Sequence, residues 1–494
     1  MTIPRRSAAV ILHRGAADAL EVFLVERSPR LGFFGGEEAF PGGSVDPGDE
    51  HLPWGPDTSL PAERDLLGAA ARELFEEAGI LLAAPEPPEE ESVAARGALL
   101  EGRGDAFRDL LARRSLQLDP SRLQRVARLI TPLFSRVRFD TTFFLVECRG
   151  EPTVVPGELT RGRWVEPARA VAEWRRGTRR IAAPVVSILD VLATRGLAEA
   201  IHELRAIPSD FEGSGRSIPM APGYEVIPLE APPLPPEIPS NVFLVGTRRF
   251  CVIDPAPRGD GGRAHLSRVI ERRLAEGDRL EAVLLTHHHP DHVGALEEII
   301  ARFHAPVWAH PRCGEILSRK LDRKLVDGDR IDLGEAPDGR AGWELEVLFT
   351  PGHAEDHLAF FDPLTRSLIA GDLLSTLVSM YVGSPGGDLD LYFASLARIK
   401  SLGVETFYPS HGTPGRDLTR LVDETLEHRR ARIDEVAAHL GPEPSTSAAI
   451  AGEVYRGVEP HLRPLYERAA RAALEHLVRH GRATRSGDDS YARV

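Results

Sequence analysis

The chain has 494 residues, 42% of them hydrophobic and 27% charged; that is too long for one hydrophobic core and has the composition of a soluble protein of two or three domains. A formal net charge of −14 excludes a broad nucleic-acid-binding face, though not a local basic groove. Three scattered cysteines, Cys148, Cys251 and Cys313, exclude a disulfide framework and a thiolate zinc site, and no window approaches the ~20 apolar residues of a membrane helix; a cytoplasmic protein without a membrane partner is expected.

In chain order, the apolar run in "MTIPRRSAAVILHRG" is too short for a signal-peptide core and reads as a first strand. From Ser7 to about Leu197 the runs "AAVILHR", "EVFLVER" and "TTFFLVEC" alternate with helical patterns, and "PEPPEEES" (Pro85 to Ser92) reads as a polar loop. The helix "AARELFEEAGILL" puts Glu73, Glu76 and Glu77 at i, i+3 and i+4, on one face. Such like charges are unfavourable together unless a cation relieves them, and oxygen-only ligands suit Mg²⁺ or Mn²⁺; a solvated acidic face is the plainer alternative. From Ile207 to Ser240, "SDFEGSGRS" and "APPLPPEIPS" carry the glycine, serine and proline of a linker.

Strand-like runs then resume, from "NVFLVG" and "RFCVIDP" through "LEAVLLTH" and "WELEVLFT" to "SLIAGD" and "TFYPSH", interleaved with helices as in stacked α/β layers. After Arg416 only helical periodicity remains, in "LTRLVDETLEHRRARIDEVAAHL" and "LYERAARAALEHLVRHGRATR", with a helix start at Ser445 to Ser447 between them. Three helices and a polar tail are expected there.

The densest chemistry lies in "LLTHHHPDHVGAL". Extended backbone projects His287 and His289 to one side and His288 to the other; Asp291 and His292 follow Pro290, which stops the strand. His353, Asp372 and His411 each follow a strand-like run and each adjoins a glycine. Imidazoles and carboxylates without thiolates suit zinc, with iron or manganese as alternatives. Two such ions sharing a carboxylate and a water lower that water's pKa toward ~7.

This pattern, "HxHxDH" followed by a distant His, Asp and His, resembles the metallo-β-lactamase fold over about Tyr224 to Gly415. The resemblance implies an αββα sandwich in which His287, His289 and His353 hold one metal, Asp291, His292 and His411 hold a second, and Asp372 bridges. Asp254, ending "FCVID", matches a supporting aspartate of that family, and His357 a position that touches substrate in some relatives, although a surface role is as plausible. The helical tail resembles the winged-helix-like domain of the group typified by β-lactamase-like protein 2, which implies hydrolysis of an ester, thioester or phosphodiester, with single-strand RNA cleavage as an alternative not favoured by the tail's mixed charges.

Upstream, "AFPGGSVDPGDE" with Arg72, Glu73, Leu74, Glu76, Glu77, Gly79 and Ile80 resembles the Nudix box. Asp49 stands at the position of the box's first glutamate, and 22 residues separate it from Arg72 where the box has seven. The long insertion, "RSPRLGFFGG" and "TPLFSRVRFDTTFFLV" are similar to the peroxisomal coenzyme A diphosphatase-like branch. That implies an α/β/α sandwich, metal on Glu73, Glu76 and Glu77, an Arg72–carboxylate pair that orients the helix, and hydrolysis of a nucleoside-diphosphate-linked or coenzyme A-like substrate; Glu158 is a weaker extra carboxylate. A Nudix module that binds ligand and regulates without catalysis is the other alternative. The expected multi-domain α/β chain thus has a Nudix domain at 1–205, a linker at 206–223, a metallo-β-lactamase-fold domain at 224–415 and a small winged-helix-like domain at 416–494. Asp291, Glu76 and Glu77 are its candidate catalytic residues.

Overall fold

The computed structural model describes residues 3–15, 19–31, 35–55, 63–208, 216–230 and 238–494. The chain divides into two units, residues 1–132 with 137–225 and residues 133–136 with 226–494.

In the first unit, strand Arg5–Arg14 lies at the middle of a mixed sheet, between Glu21–Arg27 and Phe139–Glu147. It runs parallel to the latter, in register from Arg5 opposite Phe139 to His13 opposite Glu147. Its two-residue period feeds two cores. Ala8, Val10 and Leu12 meet Leu67, Leu74 and Phe75 of helix Arg64–Ala78, while Ala9 and Ile11 meet Val185, Ile188 and Leu189 of helix Ala183–Thr194. A sheet apolar on both faces must be covered by helices on both, and the result is an α/β/α sandwich. Helix Arg64–Ala78 stops at Gly79, whose φ of +70° suits only a residue without Cβ strain.

Two local expectations change. The stretch "PEPPEEES" is not all loop: helix Glu89–Leu100 begins inside it, with Glu89, Glu90 and Glu91 in its first turn, where negative charge complements the helix dipole. Of the proposed linker, residues 209–215 and 231–237 lie outside the described residues, and the remainder includes strand Ile218–Ala221.

The second unit holds two sheets. In one, Ser240–Gly246, Arg249–Ile253, Arg279–Leu284, Val307–Ala309 and Arg323–Lys324 are successive neighbours; in the other, Arg330–Glu335, Ala341–Phe349, Leu358–Asp362, Ser367–Ser375 and Thr406–His411. The buried Asn241 amide ties them together, donating to the carbonyls of Pro409 and Gly412 at 2.8 Å each. Helix Asp260–Ala275 packs on the first sheet, and Leu389–Ser401 and Leu418–Ala438 on the second, which makes an αββα sandwich.

The residues after 415 share their core with that sandwich. Val422, Ile433, Ile450, Leu474, Leu477 and Tyr491 belong to one apolar cluster with Leu348, Leu368, Leu373 and Leu396. Helix Ser447–Val454 starts as the sequence signals, the Thr446 hydroxyl accepting from the Ala449 N–H at 3.2 Å. The tail expected to be polar is instead a hairpin, Ala483–Arg485 against Tyr491–Arg493, because Tyr491 is fully buried and anchors it. Among the described residues no helix is long and apolar enough to cross a membrane.

Backbone at the strand ends is demanding. Gly352 has φ +133°, and a Cβ there would stand 2.2 Å from the Tyr392 nitrogen. Gly352→Ala is therefore expected to cost about 3 kcal/mol or more and to lower the melting temperature of the second unit by about 5–10 °C, read by differential scanning fluorimetry.

Candidate metal centres

Strand Arg279–Leu284 continues its ladder one residue further, the Leu285 N–H donating to the Trp308 carbonyl at 3.1 Å, and then releases the chain into the histidine run. His287 Nε2 comes within 2.9 Å of His289 Nδ1, and His353 Nε2 within 3.0 Å of the same atom. Asp372, in strand Ser367–Ser375, divides its carboxylate. Its Oδ2 faces His353 Nε2 at 3.3 Å and His287 Nε2 at 4.0 Å. Its Oδ1 faces His292 Nε2 at 3.5 Å and His411 Nε2 at 3.4 Å. Asp291 Oδ2 closes the second group, 3.8 Å from His292 Nε2 and 3.4 Å from His411 Nε2.

These separations test the fit of an ion. Two nitrogens each ~2.05 Å from a zinc ion stand about 2.9 Å apart at a right angle and about 3.3 Å apart at the tetrahedral angle. The seven side chains form two groups of potential ligands with Asp372 in contact with both, and His292 Nε2 and Asp372 Oδ1 are buried without a hydrogen-bond partner. Buried polar atoms are rarely left so unless something else occupies the space between them. The donor set fits two divalent ions.

A surrounding layer fixes which nitrogen faces inward. The Asp254 carboxylate accepts from the Thr286 N–H at 2.8 Å and the Thr286 hydroxyl at 2.6 Å, and its Oδ2 lies 2.9 Å from His292 Nδ1. Because the Thr286 hydroxyl donates to Asp254, its oxygen accepts from His287 Nδ1 at 3.0 Å. His353 Nδ1 donates to the Tyr381 carbonyl at 2.6 Å, and His411 Nδ1 to the Pro239 carbonyl at 3.1 Å. In each ring the Nδ1 proton is engaged, leaving the Nε2 lone pair for a metal. Asp254 does this from a left-handed backbone, φ +54°, a strained conformation typical of sites that need a particular geometry.

The protons follow the same division. Burial holds His287 well below its ordinary value and brings His289 to about 3 and His353 to about 4, so the first group is neutral. In the second, burial opposes charge, but Asp372 and Asp291 push His411 up to about 10, and His292 is likewise raised well above its ordinary value. With no cation, two imidazolium protons answer the carboxylates.

Two further histidines have positioning roles. His288 points away, its Nδ1 2.7 Å from buried Asp356. His357, weighed as a surface or substrate-touching residue, is fully buried. Its Nε2 accepts the Asp372 N–H at 3.0 Å, and its Nδ1 meets the Thr350 hydroxyl at 2.9 Å. It holds the Asp372 backbone and is withdrawn from solvent. Sequence reasoning missed this role, and those of Thr286 and the Tyr381 carbonyl, since each depends on a contact between separate strands. His304 and His310 stay apart: one ends helix Leu296–Phe303 at φ +52°, the other stacks on Phe349.

In the first unit, Arg72 is buried and reaches back across the insertion. Its Nε and Nη2 donate to the two oxygens of Asp49 at 2.9 and 3.1 Å, its Nη2 to the Ser44 carbonyl at 2.9 Å, and its Nη1 to Glu73 at 2.8 Å. Asp49, 1% exposed, thus reaches Arg72 despite the long insertion. Glu77 Oε2 accepts the Gly42 N–H at 2.7 Å, and a side chain at Gly43 would collide with the Glu73 carboxylate, 2.2 Å from its Oε1. Burial raises the Glu73 carboxyl to about 7, and burial with the charge of Glu73 raises Glu77 well above the ordinary range. Crowded carboxyls of this kind are relieved by a divalent cation. Their oxygens are nevertheless less tightly gathered than the histidine site's, since Glu73, Glu76 and Glu77 are not among the compact metal-capable groups of the described residues. Glu158 is mostly exposed, pairs with Arg27 at 3.2 Å, and raises Glu76 and Glu77 by its charge.

Residues 235–411 match the Metallo-beta-lactamase superfamily and residues 3–184 the NUDIX domain. Lactamase-like protein adaB of Aspergillus niger is 32% identical over 207 residues, 41% of this chain and 58% of that one. Hydroxyacylglutathione hydrolase of Hahella chejuensis is 36% identical over 145 residues, 28% of this chain and 51% of that one. The chain therefore spans little more than half the length of these relatives. Among solved structures, a Beta-lactamase domain protein from Burkholderia ambifaria shares 22% identity over 57% of this chain and 94% of its own, with a TM-score of 0.49. A NUDIX hydrolase from Alicyclobacillus acidocaldarius shares 29% over 42% of this chain and 100% of its own, with a TM-score of 0.37.

Removing Asp254 frees the rings it orients, so Asp254→Ala is expected to weaken zinc binding about 10–100-fold, measured by competition with a chromogenic chelator. Arg72→Ala strands the buried Asp49 carboxylate; a loss of about 3–5 kcal/mol in the first unit's stability is expected, measured by urea denaturation.

Proposed function

Because the chain joins a NUDIX domain to a metallo-β-lactamase domain, we propose that it is a hydrolase with two metal-dependent sites. One observation carries the reading of the second site: the Asp372 carboxylate presents Oδ2 to His287 and His353 and Oδ1 to His292 and His411. That is the layout of two ions, zinc by donor type, held by His287, His289 and His353 on one side and Asp291, His292 and His411 on the other. When bound, such ions supply an activated water and polarise the bond under attack. The protein's part is to keep the first triad neutral, to aim the Nε2 atoms of His287, His292, His353 and His411 inward through Asp254, Thr286 and the two carbonyls beside the Nδ1 of His289, and to hold Asp372 through His357. The substrate is an ester, thioester or phosphodiester. A relative named for hydrolysis of hydroxyacylglutathione supports an acyl substrate over RNA.

The first site is a Mg²⁺- or Mn²⁺-dependent hydrolase of a nucleoside-diphosphate-linked compound, with Glu73, Glu76 and Glu77 as ligands and Arg72 fixing their helix against Asp49. Its substrate class links the two halves, since an acyl-coenzyme A carries both a thioester and a diphosphate. The protein then works in the cytoplasm on small molecules. A second reading, in which the Nudix unit binds ligand and regulates without catalysis, is favoured by the looser gathering of Glu73, Glu76 and Glu77.

A substrate panel separates these readings. Acyl-coenzyme A, coenzyme A, nucleotide diphosphates and single-stranded RNA are incubated with wild type, Asp291→Ala and Glu77→Gln, each with Zn²⁺ and with Mg²⁺. Asp291→Ala is expected to lose thiol release by about 100-fold or more while retaining 3′,5′-ADP release, and Glu77→Gln to do the reverse. Thiol release that responds to added nucleotide, with no 3′,5′-ADP from any form, selects the regulatory reading. The absence of any hydrolysis product from wild type on every substrate of the panel overturns the two-site hydrolase.

A further inference from the structure

Away from both sites, three metal-capable side chains converge where the last helix meets the helix that precedes strand Thr406–His411. His476 lies in the last turn of helix Arg463–Arg479 and His480 is the residue that ends it, so the two stand at i and i+4, on one face. Opposite them is Asp390, in the first turn of helix Leu389–Ser401. His476 Nδ1 and His480 Nε2 approach the same oxygen, Asp390 Oδ1, at 2.7 and 2.8 Å. The three donor atoms lie within 4.8 Å of one another, and the two rings are 4.3 Å apart between centroids.

We propose that Asp390, His476 and His480 form a third transition-metal site, a clasp for a zinc-class divalent ion between these two helices. Hydrogen bonds alone can hold two imidazoles on one carboxylate, but the surroundings are arranged as around a metal ligand. Arg479 Nε lies 2.8 Å from the other oxygen, Oδ2, and Arg479 Nη1 pairs with Asp388 at 2.5 Å. The ion pair with Arg479 is on Oδ2, which is buried without a hydrogen-bond partner, and both imidazoles converge on Oδ1, so Oδ1 is presented as a single-point ligand. Two imidazoles and one carboxylate without a thiolate select the zinc, cobalt and nickel range over Mg²⁺ or Ca²⁺. The two contacts to Asp390, 2.7 and 2.8 Å, are within a few tenths of an ångström of the ~2.9–3.3 Å ligand spacing around zinc, and the two imidazole nitrogens lie within 4.8 Å of each other. The side chain of His480 is 55% exposed and that of His476 15%, so an ion can enter from solvent with one imidazole already in place.

The clasp does not depend on the hydrolase reading, and its test needs no substrate. Full-length protein is stripped with a chelator, saturated with Zn²⁺ in excess Mg²⁺, desalted and counted for zinc per chain by atomic emission. Wild type is expected to retain one equivalent more than His480→Ala, His476→Ala and Asp390→Asn, and to show a zinc-dependent rise in melting temperature that is smaller in all three. The half-exposed His480 makes its variant safe to fold, and Asp390→Asn keeps the shape of the contact while removing its charge. Equal zinc content in wild type and in His480→Ala overturns the proposal, as does an extra equivalent that survives in all three variants.

Discussion

The second unit is organised around one electrostatic problem, the Asp372 carboxylate. It is almost fully withdrawn from water, with an oxygen turned to each of two groups of imidazoles. An isolated carboxylate in such a place would cost many kcal/mol, so positive charge must be brought to it, either as metal ions or as the protons that His292 and His411 take up in their absence. The surrounding chain serves that requirement. Gly371 at φ +57° leaves room for His357, whose Nε2 a Cβ would approach to 2.4 Å, and His357 in turn receives the Asp372 N–H.

The first unit meets a related difficulty by another route. There the crowded groups are all carboxyls, and a single guanidinium threads between them. Arg72 joins Asp49, Glu73 and the Ser44 carbonyl, neutralising part of the cluster from behind while leaving Glu76 and Glu77 with raised proton affinity. A protein that buries acids must supply the counter-charge itself or import it. This chain does the former with Arg72 and is built to do the latter at both sites.

How much of this could be read beforehand follows from the range of each interaction. The histidine run was legible because two-residue alternation and a strand-stopping proline act over six residues, and His353, Asp372 and His411 each carry a strand and a glycine as local markers. That Glu73, Glu76 and Glu77 share one helix was legible from their spacing. Asp49 was found by position alone; that it would reach Arg72 across the insertion depends on the turn Gly48–His51 packing under the helix, where Gly68 lies against the Asp49 carbonyl. His357 and Thr286 were opaque because their partners come from other strands. The terminal hairpin was missed because one buried tyrosine, Tyr491, outweighs a run of polar neighbours.

The shared core after residue 415 bears on how such a chain can be assembled from parts. The first unit has both of its apolar layers filled from within. The final helices lack that independence. Their leucines complete the layer that covers strand Ser367–Ser375, and the Tyr381 hydroxyl, in the same segment whose carbonyl holds His353, bonds to the Leu465 carbonyl at 3.1 Å. Truncation at residue 415 would strip the sandwich of that apolar cover, so these helices are part of the fold that carries the candidate site and not an appendage to it.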